Sequence, residues 1–287
     1  MSISGQNLTI VIVTLKSQKV IDDCIESIDK NIPIIVVENS NDTDFKKKIE
    51  NKYSNVKCIL SNKNLGMGSA NNIGIMSSGT DFVYIVNPDT VLEKDALKQI
   101  FLASNKIKDF SILSPICSDF NFPNYKKAQV DNSSEPFKVE SIDGFSMLFN
   151  KKKFEDNVYF DENFFMYLEN DDICKRVIDK GGSLYIIPSA KINHGGAKAV
   201  DSKFIKEVEL SRNWHWVWSK FYFNKKHFSY LKAINVCMLS YFSSIVKMFF
   251  YFLIRNDFKR KIYFNRASGF HNAMRGKPSW YRPNLED

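Results

Sequence analysis

The chain has 287 residues, of which 44% are hydrophobic and 25% charged, a composition that excludes disordered and collagen-like classes. Its net charge of +8 is uneven: residues 203–287 carry 16 Lys and Arg against five Asp and Glu, which leaves −3 for residues 1–202. A basic, aromatic-rich tail on a near-neutral body predicts contact with an anionic partner, either nucleic acid or a membrane surface.

Five scattered cysteines form no C-x-x-C pair, which argues against a disulfide framework or a zinc site and favours a reducing cytosol. The first six residues carry no positive charge, and the apolar run after them is too short for a signal peptide. The sequence therefore predicts a cytoplasmic protein.

The first 105 residues alternate between strand and helix patterns. A continuous β-branched run at 8–15 and further short apolar runs predict strands, and the polar-apolar stretches between them predict helices. The strands are expected at 8–15, 32–38, 56–61 and 82–87, and the helices at about 17–30, 43–52, 68–77 and 93–105. This order predicts an α/β fold with a parallel sheet between helices, in which a ligand lies beyond the carboxyl ends of the strands.

The second half of the chain is less regular. Residues 118–140 are rich in Asn, Asp, Ser and Pro and predict a loop or insertion. Order resumes at 142–150, followed by a helix from near Glu169 to Gly181-Gly182 and a short strand at 184–187. His194-Gly195-Gly196 is expected to begin a mobile loop, and the pattern from about Phe204 onward is helical.

The first motif is the run from Gly66 to Asn71, Gly-Met-Gly-Ser-Ala-Asn, between a predicted strand and helix. It departs from the dinucleotide fingerprint G-x-G-x-x-G because Asn71 occupies the third glycine position. A tight turn, or another kind of nucleotide contact, is therefore favoured over NAD binding.

The second motif, Asn87-Pro88-Asp89, follows an apolar strand. A carboxylate at the carboxyl end of a strand is well placed to hold a divalent cation against a diphosphate. The same residues also suit an Asx turn before a helix.

The third motif is the acidic cluster Glu169-Asn170-Asp171-Asp172, which follows the aromatic run at 164–167. Acids at a helix start are favoured by the helix dipole alone. A carboxylate beside aromatic surface can also have its pKa raised, which suits a general base.

His194 is the fourth candidate, as one of only four histidines, and on its own it is more often an ordinary surface or core residue.

Taken together, these motifs resemble the inverting glycosyltransferase family 2 with the GT-A fold, specifically its bacterial rhamnosyltransferase-like branch. The resemblance covers about residues 8–200. Its hallmarks are the segments 11–14, 36–40, 64–74, 87–89, 160–162, 165–167 and 169–176, with Pro188 followed by His194.

The resemblance implies roles for the matching positions. Thr14, Glu38 and Asn39 would hold the nucleoside. The turn with Asn64, Gly66 and Asn71 would approach the ribose and diphosphate, beside Asn87. Asp89 would ligate Mg²⁺ or Mn²⁺, and His194 would complete the metal or diphosphate site. The cluster of Glu169, Asn170, Asp171 and Asp172 would supply the catalytic base.

Three departures from the family pattern matter. Glu38 stands where Asp is usual, and Asn87 begins the metal motif in place of Asp. The usual Glu-Asp pair reads Glu169-Asn170, and an asparagine cannot take a proton. The base is therefore expected to be Glu169 or Asp171, unless the protein is catalytically impaired.

The resemblance further implies a metal-dependent single displacement that moves a sugar from a nucleotide-sugar donor, dTDP-linked or UDP-linked, to a glycan or lipid-linked glycan. We expect a catalytic domain at 1–203, with donor binding at about 1–116 and the acceptor and catalytic part at about 140–203. A basic helical region would follow at 204–287.

The tail carries an apolar stretch at 227–254 that Lys232 and Lys247 interrupt. Its longest charge-free run, 233–246, has 14 residues against the roughly 20 that span a bilayer. The pattern favours interfacial membrane helices, although a packed helical subdomain or a homodimer interface also fits.

Other classes fit less well. A nucleotidyltransferase is expected to have a glycine-rich loop after the first strand, and here that loop reads Lys-Ser-Gln-Lys. A non-enzymatic membrane-binding or nucleic-acid-binding protein would leave Asp89 and the acidic cluster unexplained, and no nucleic-acid motif is present, so no nucleic-acid partner is expected.

Overall fold

The computed structural model describes residues 3–107, 109–119, 123–126, 135–154, 157–195 and 202–285. The chain divides into two compact units. We call Met1–Asp161 with Asn170–Asp201 the sheet unit, and Glu162–Glu169 with Ser202–Asp287 the helical unit.

The strands of the sheet unit begin with a run that is buried over its whole length, as expected of a strand covered on both faces. In chain order they are β1 (Leu8–Thr14), β2 (Ile34–Glu38), β3 (Val56–Leu60), β4 (Phe82–Val86), β5 (Thr90–Leu92), β6 (Ile112–Cys117), β7 (Tyr125–Lys126), β8 (Phe137–Lys138), β9 (Ser141–Ile142), β10 (Ser146–Asn150) and β11 (Leu184–His194).

The main sheet has the order β3-β2-β1-β4-β10-β6-β11-β5, with β8 added on β11. Strands β1 to β4 are mutually parallel, whereas β10 runs antiparallel to both of its neighbours. Strands β7 and β9 form a separate antiparallel pair. The parallel half brings the carboxyl ends of β1, β2, β3 and β4 to one edge.

Helices cover both faces of this sheet: α1 (Ile21–Glu26), α2 (Thr43–Lys52), α3 (Met67–Ser77), α4 (Ala96–Lys106) and α5 (Glu169–Asp179). Helix α2 begins where the Asp42 carboxylate accepts a hydrogen bond from Phe45 N at 2.9 Å. Beyond α5, Gly181 adopts a left-handed conformation with φ of 81°, which glycine accommodates without steric cost. Two apolar clusters lie on the two faces of the sheet.

Several features differ from the sequence expectations. Helix α1 covers Ile21–Glu26, a part of the helix expected at about 17–30, and the short strands β7 and β8 lie in the expected loop at 118–140. Residues 112–117 form β6, which the sequence did not predict, and the short β5 follows the Asn87–Asp89 motif. Strand β11 continues to His194, because its second half pairs with β5. His194 is thus the last residue of a strand, whereas a loop start was expected. Of the expected loops at 118–140 and 195–203, residues 120–122, 127–134 and 196–201 lie outside the described residues.

The helical unit contains α6 (Ile205–His227), α7 (Tyr230–Leu253) and α8 (Asp257–Met274), which pack around an aromatic cluster that includes Trp214, Trp218, Phe221 and Phe270. Helix α7 is continuous over 24 residues, with Lys232 and Lys247 inside it. By length and composition alone, α7 is long and apolar enough to cross a membrane. The 14-residue charge-free run at 233–246 did not predict a helix of that length.

The segment before α5 is bound within the helical unit. The Ser219 hydroxyl donates a hydrogen bond to Met166 O at 2.7 Å, and the Ser279 hydroxyl donates one to Asn163 O at 2.9 Å. The Arg282 guanidinium lies 3.7 Å from the centre of the Phe165 ring. The C-terminal helices and the residues after them therefore fix the chain that leads into Glu169.

Candidate functional site

The carboxyl ends of β1 and β2 place three predicted nucleoside-binding residues side by side. Thr14 and Glu38 are in register, and Asn39 N donates to Thr14 O at 2.8 Å. Each of the three is 1% exposed. The Glu38 carboxylate accepts hydrogen bonds from Ser40 N at 3.1 Å, from the Ser40 hydroxyl at 2.5 Å and from Asp42 N at 2.6 Å. It therefore shapes the loop that follows β2.

Asn39 joins this loop to the turn before α3. Its amide donates to Asn64 Oδ1 at 3.2 Å, and its side-chain oxygen accepts from Leu65 N at 3.0 Å. Asn64 Oδ1 also accepts from Gly66 N at 3.1 Å. Gly66 has φ of 85° at the N-cap of α3, a conformation that favours glycine. The predicted residues of both loops thus form one hydrogen-bonded network.

Helix α3 carries Asn71, which is 4% exposed. Its neighbour Asn72 lies in the hallmark segment 64–74 but was given no role, and its side chain pairs with both backbone groups of Phe160 at 2.9 Å. This pairing ties the helix to the chain 88 residues later.

Asp89 and His194 meet at the carboxyl edge of the sheet. The His194 Nε2 atom lies 3.4 Å from Asp89 Oδ1, and Gly195 N donates to Asp89 O at 2.8 Å. The imidazole stacks on the Phe145 ring with 4.0 Å between centroids and 3° between planes. Asn87 is anchored through its backbone N, which donates to Phe145 O at 2.9 Å. The two predicted metal ligands, 105 positions apart in the sequence, are therefore neighbours in space.

Asp143 is a carboxylate that sequence reasoning missed. Burial raises its pKa, the nearby Asp171 carboxylate raises it further, and Lys126 and His194 oppose both effects. Asp143 therefore lies within electrostatic range of a member of the metal pair and a member of the acidic cluster. A lone Asp-Gly in a loop gave no signal for this, because only the fold brings residue 143 into that neighbourhood.

The members of the acidic cluster have different hydrogen-bond partners. The Asn170 amide donates to Ile142 O at 3.0 Å. The Asp171 carboxylate is 2.8 Å from Lys126 Nζ and accepts from the Ser141 hydroxyl at 2.5 Å. These contacts hold the first turn of α5 against the end of β9.

Asp172 points into the core and is 0% exposed. Its carboxylate pairs with Arg176 Nε at 2.8 Å, one turn further along α5. The Arg176 guanidinium also donates to Tyr159 O. Through Arg176, Asp172 links helix α5 to the backbone of Tyr159 within the sheet unit.

Glu169 is the first residue of α5 and is partly exposed. Tyr167 and Leu168 before it adopt left-handed conformations with φ of 70° and 65°. Such backbone is costly for residues other than glycine and is held only when its surroundings require it. Burial raises the pKa of Tyr167, Arg212 opposes this, and Glu209 and Glu169 add to it.

Within the described residues, no group of three or more His, Cys, Asp or Glu side chains is arranged to hold a metal ion. The Asp89–His194 pair offers one carboxylate oxygen and one imidazole nitrogen. Mg²⁺ in nucleotide sites is commonly bound by one or two carboxylates, with phosphate oxygens and water completing the shell. The pair fits a cation that is shared with a bound diphosphate.

Comparison with known families identifies the family of this protein. The sequence model of the glycosyl transferase family 2 matches residues 9–172 of this chain. This range contains β1 to β4, Asp89 and the acidic cluster. The chain belongs to glycosyl transferase family 2. This confirms the predicted family, and the protein is a glycosyltransferase.

Two relatives extend the likeness over most of the chain. The low-salt glycan biosynthesis hexosyltransferase Agl10 of Haloferax volcanii is 24% identical over 231 residues, covering 72% of this chain and 69% of its own. The dTDP-rhamnosyl transferase RfbF of Shigella flexneri is 23% identical over 248 residues, covering 82% and 78%.

Solved structures confirm the GT-A fold. The S. aureus TarS 1-349 structure has a TM-score of 0.54 at 14% identity, covering 98% of this chain and 94% of its own. The mannosyltransferase PcManGT from Pyrobaculum calidifontis, in complex with GDP-Man and Mn²⁺, has a TM-score of 0.54 at 12% identity, covering 91% and 86%.

Proposed function

We propose that this family 2 glycosyltransferase binds a nucleotide-sugar donor at the carboxyl edge of the sheet and transfers the sugar with inversion. The observation that carries the proposal is the Asp89–His194 pair, 3.4 Å apart, on the same sheet edge as the Asn39–Asn64–Gly66 network. A polar edge of this kind is where open α/β sheets bind nucleotides.

The donor is a dTDP-rhamnose-like or a UDP-linked sugar. The first choice is supported by the 23% identity to the dTDP-rhamnosyl transferase of Shigella flexneri, and the second by the likeness to TarS in complex with UDP-GlcNAc. Thr14, Glu38 and Asn39 bind the nucleoside, while Asn64, Gly66, Asn71 and Asn87 line the approach to the ribose and diphosphate.

Asp89 and His194 hold Mg²⁺ or Mn²⁺. Bound there, the cation would offset negative charge on the diphosphate leaving group. Support comes from the proximity of the two side chains and from Mn²⁺ in the structurally similar mannosyltransferase complex.

Glu169 is the catalytic base. Its place as the partly exposed first residue of α5 supports this assignment, whereas Asp172 is buried and Asn170 lacks a basic oxygen that can take a proton. The Glu169 carboxylate removes a proton from the acceptor hydroxyl as that oxygen bonds to the anomeric carbon. The bond from this carbon to the diphosphate oxygen breaks, and the nucleoside diphosphate leaves with the electron pair. One attack without a covalent intermediate inverts the configuration.

The acceptor is a glycan or a lipid-linked glycan, and the enzyme works in the cytoplasm as a peripheral protein on the inner face of the cell membrane. The name of the archaeal relative, which places that protein in glycan biosynthesis, supports the first part. The basic composition of 203–287 supports the second. A homodimer is compatible with this arrangement.

The stereochemistry of the product tests the reaction class. We expect turnover of one donor from a panel of dTDP-, UDP- and GDP-sugars, and a one-bond carbon–proton NMR coupling at the new anomeric centre that indicates inversion. Retention of configuration would overturn the single displacement. No turnover of any donor, with binding intact, would favour the alternative of a catalytically impaired family member.

A further inference from the structure

The outward face of α7 is apolar along nearly the whole helix. Its residues recur at spacings of three, four, seven and eight, so they share one side of the helix. We call this surface the α7 stripe, and its main members are Leu231 (72% exposed), Leu239 (84%), Phe242 (58%), Val246 (68%), Phe249 (61%) and Leu253 (62%).

The opposite face of α7 is the one that packs inside the helical unit. Ala233 and Cys237 are 0% exposed and Ser244 is 2% exposed, and all three lie on that inner face. The stripe therefore points away from the core of its own unit. It extends about 33 Å along the helix axis. The exposed Asn235 interrupts it between Leu231 and Leu239, and from Leu239 to Leu253 its exposed members are apolar. Soluble monomers rarely expose large apolar patches without a partner.

Basic side chains flank the stripe at both ends. Residues 225–261 contain eight Lys and Arg and a single acid, Asp257. Lys225, Lys226 and Lys232 are exposed near the start of the helix, and Arg255, Lys259 and Lys261 are exposed beyond its end. An apolar band with cationic borders matches the layer where acyl chains meet anionic headgroups.

We propose that the α7 stripe lies in the interface of an anionic lipid bilayer, with the helix axis parallel to the membrane plane. The inference rests on the membrane location in the proposed function and assigns that contact to one helix face. It depends neither on the donor nor on the chemistry.

The neighbours of α7 favour lying in the interface over crossing the bilayer. Helices α6 and α8 pack on its inner face. The first half of α8 carries Asp257, Lys259, Arg260 and Lys261. Charged side chains in the hydrocarbon layer are costly, so α7 cannot enter it together with α8.

Charge also favours lipid over a second copy of the chain. Pairing two stripes would bring together two segments that each carry eight basic residues and one acid. Like charges across an interface oppose association, whereas anionic headgroups complement them.

Co-sedimentation of the full chain with lipid vesicles tests the proposal. One set of vesicles contains phosphatidylcholine alone, and the other also contains phosphatidylglycerol. We expect the wild type to partition at least about tenfold more strongly onto the anionic vesicles. A stripe variant, Leu239→Ser with Phe242→Ser and Val246→Ser, should lose about tenfold or more of that binding.

Matched controls separate the stripe from general surface effects. Met76→Ser with Leu102→Ser changes two exposed apolar residues of the sheet unit, 66% and 51% exposed, and should bind like the wild type. Lys225→Glu with Lys232→Glu should weaken anionic binding about tenfold, whereas Lys47→Glu with Lys48→Glu in α2 should change it little. Unchanged circular dichroism verifies that each variant folds.

Several outcomes would overturn the proposal. These are no binding of the wild type to anionic vesicles, a stripe variant that binds as well as the wild type, or membrane-bound protein that resists alkaline extraction and therefore spans the bilayer. A dimer that the stripe variant dissociates, without vesicle binding, would assign the stripe to a second copy. Donor hydrolysis measured without vesicles reports separately on the proposed function.

Discussion

The two units distribute their side chains in opposite ways. In the sheet unit, Leu8, Ile10 and Ile12 of β1 are 0% exposed, and the polar residues collect at the carboxyl edge. In the helical unit, Ser211, His215 and Ser219 are 0% exposed while Leu239 is 84% exposed. Both regions have strongly apolar segments, yet only one of them buries its segment completely.

The difference shows that an apolar sequence alone does not predict whether its side chains are buried in the protein core or lie on the surface. Strand β1 lies between two helix-covered faces, so its side chains enter the protein core on both sides. Among the described residues, those of α6 and α8 pack on one face of α7, and its other face is exposed. We propose donor binding at the sheet edge and membrane attachment through the α7 stripe.

The largest effect is expected where the chain enters the sheet unit at α5. Glu169→Gln removes the proposed proton acceptor and keeps its shape, so kcat should fall by about 10² to 10⁴ while donor affinity stays unchanged. Steady-state kinetics and donor titration measure the two quantities.

Asp179→Asn is the matched control, because this acid lies on the same helix, is exposed and pairs with Lys175. It should retain wild-type kcat. A Glu169→Gln enzyme with unchanged kcat would contradict the assignment, and loss of activity in Asp143→Asn instead would move the base to Asp143.

The burial contrast itself predicts a difference in stability. Ile12→Ala opens a cavity in the sheet unit and should lower the free energy of unfolding by about 2–5 kcal/mol. Leu239→Ala removes an exposed side chain and should change it by less than about 0.5 kcal/mol. Urea denaturation followed by far-ultraviolet circular dichroism compares them. Equal losses would mean that α7 is covered within the folded chain.

A smaller, pH-dependent effect is expected at His215 in the helical unit. Burial lowers its pKa to about 4, the nearby Arg282 guanidinium lowers it as well, and the hydrogen bond to Tyr281 O opposes them. Between pH 6.5 and 4, His215 is therefore protonated in the unfolded chain but stays neutral in the folded unit. The free energy of unfolding should fall by up to about 3 kcal/mol as pH drops through this window.

Tryptophan fluorescence during urea denaturation can follow this unit alone, since all four tryptophans, Trp214, Trp216, Trp218 and Trp280, belong to it. His215→Gln should flatten the pH dependence between pH 7 and 4.5. A wild type as stable at pH 4.5 as at pH 7 would contradict the buried, neutral imidazole.

The sequence predicted the parallel half of the sheet well because its strands are short apolar runs, rich in Val and Ile, between clear turn signals. Helix α2 agrees to the residue, with Asp42 as its cap. Strand β6 was missed because Pro115 lies inside it, and proline argues against a central strand. Strand β5 has only three residues, too few for any periodic pattern.

The residues of the candidate site could be predicted from the sequence, because the motifs fall at strand ends. The contacts between these residues could not be predicted in the same way. The i to i+4 pair of Asp172 and Arg176 is local and was within reach of sequence reasoning. The contact of Asp171 with Lys126, 45 positions earlier, and the neighbourhood of Asp143 depend on strand order. The outward direction of the α7 stripe depends likewise on which face α6 and α8 cover.

Titration calorimetry with and without Mn²⁺ compares donor binding by the wild type, Asp89→Asn and the exposed control Asp44→Asn. We expect Mn²⁺-dependent binding of a dTDP- or UDP-sugar to the wild type and the control. Asp89→Asn should weaken that binding by at least about tenfold. Equal, Mn²⁺-independent binding by all three proteins would contradict a metal-assisted donor site at this sheet edge.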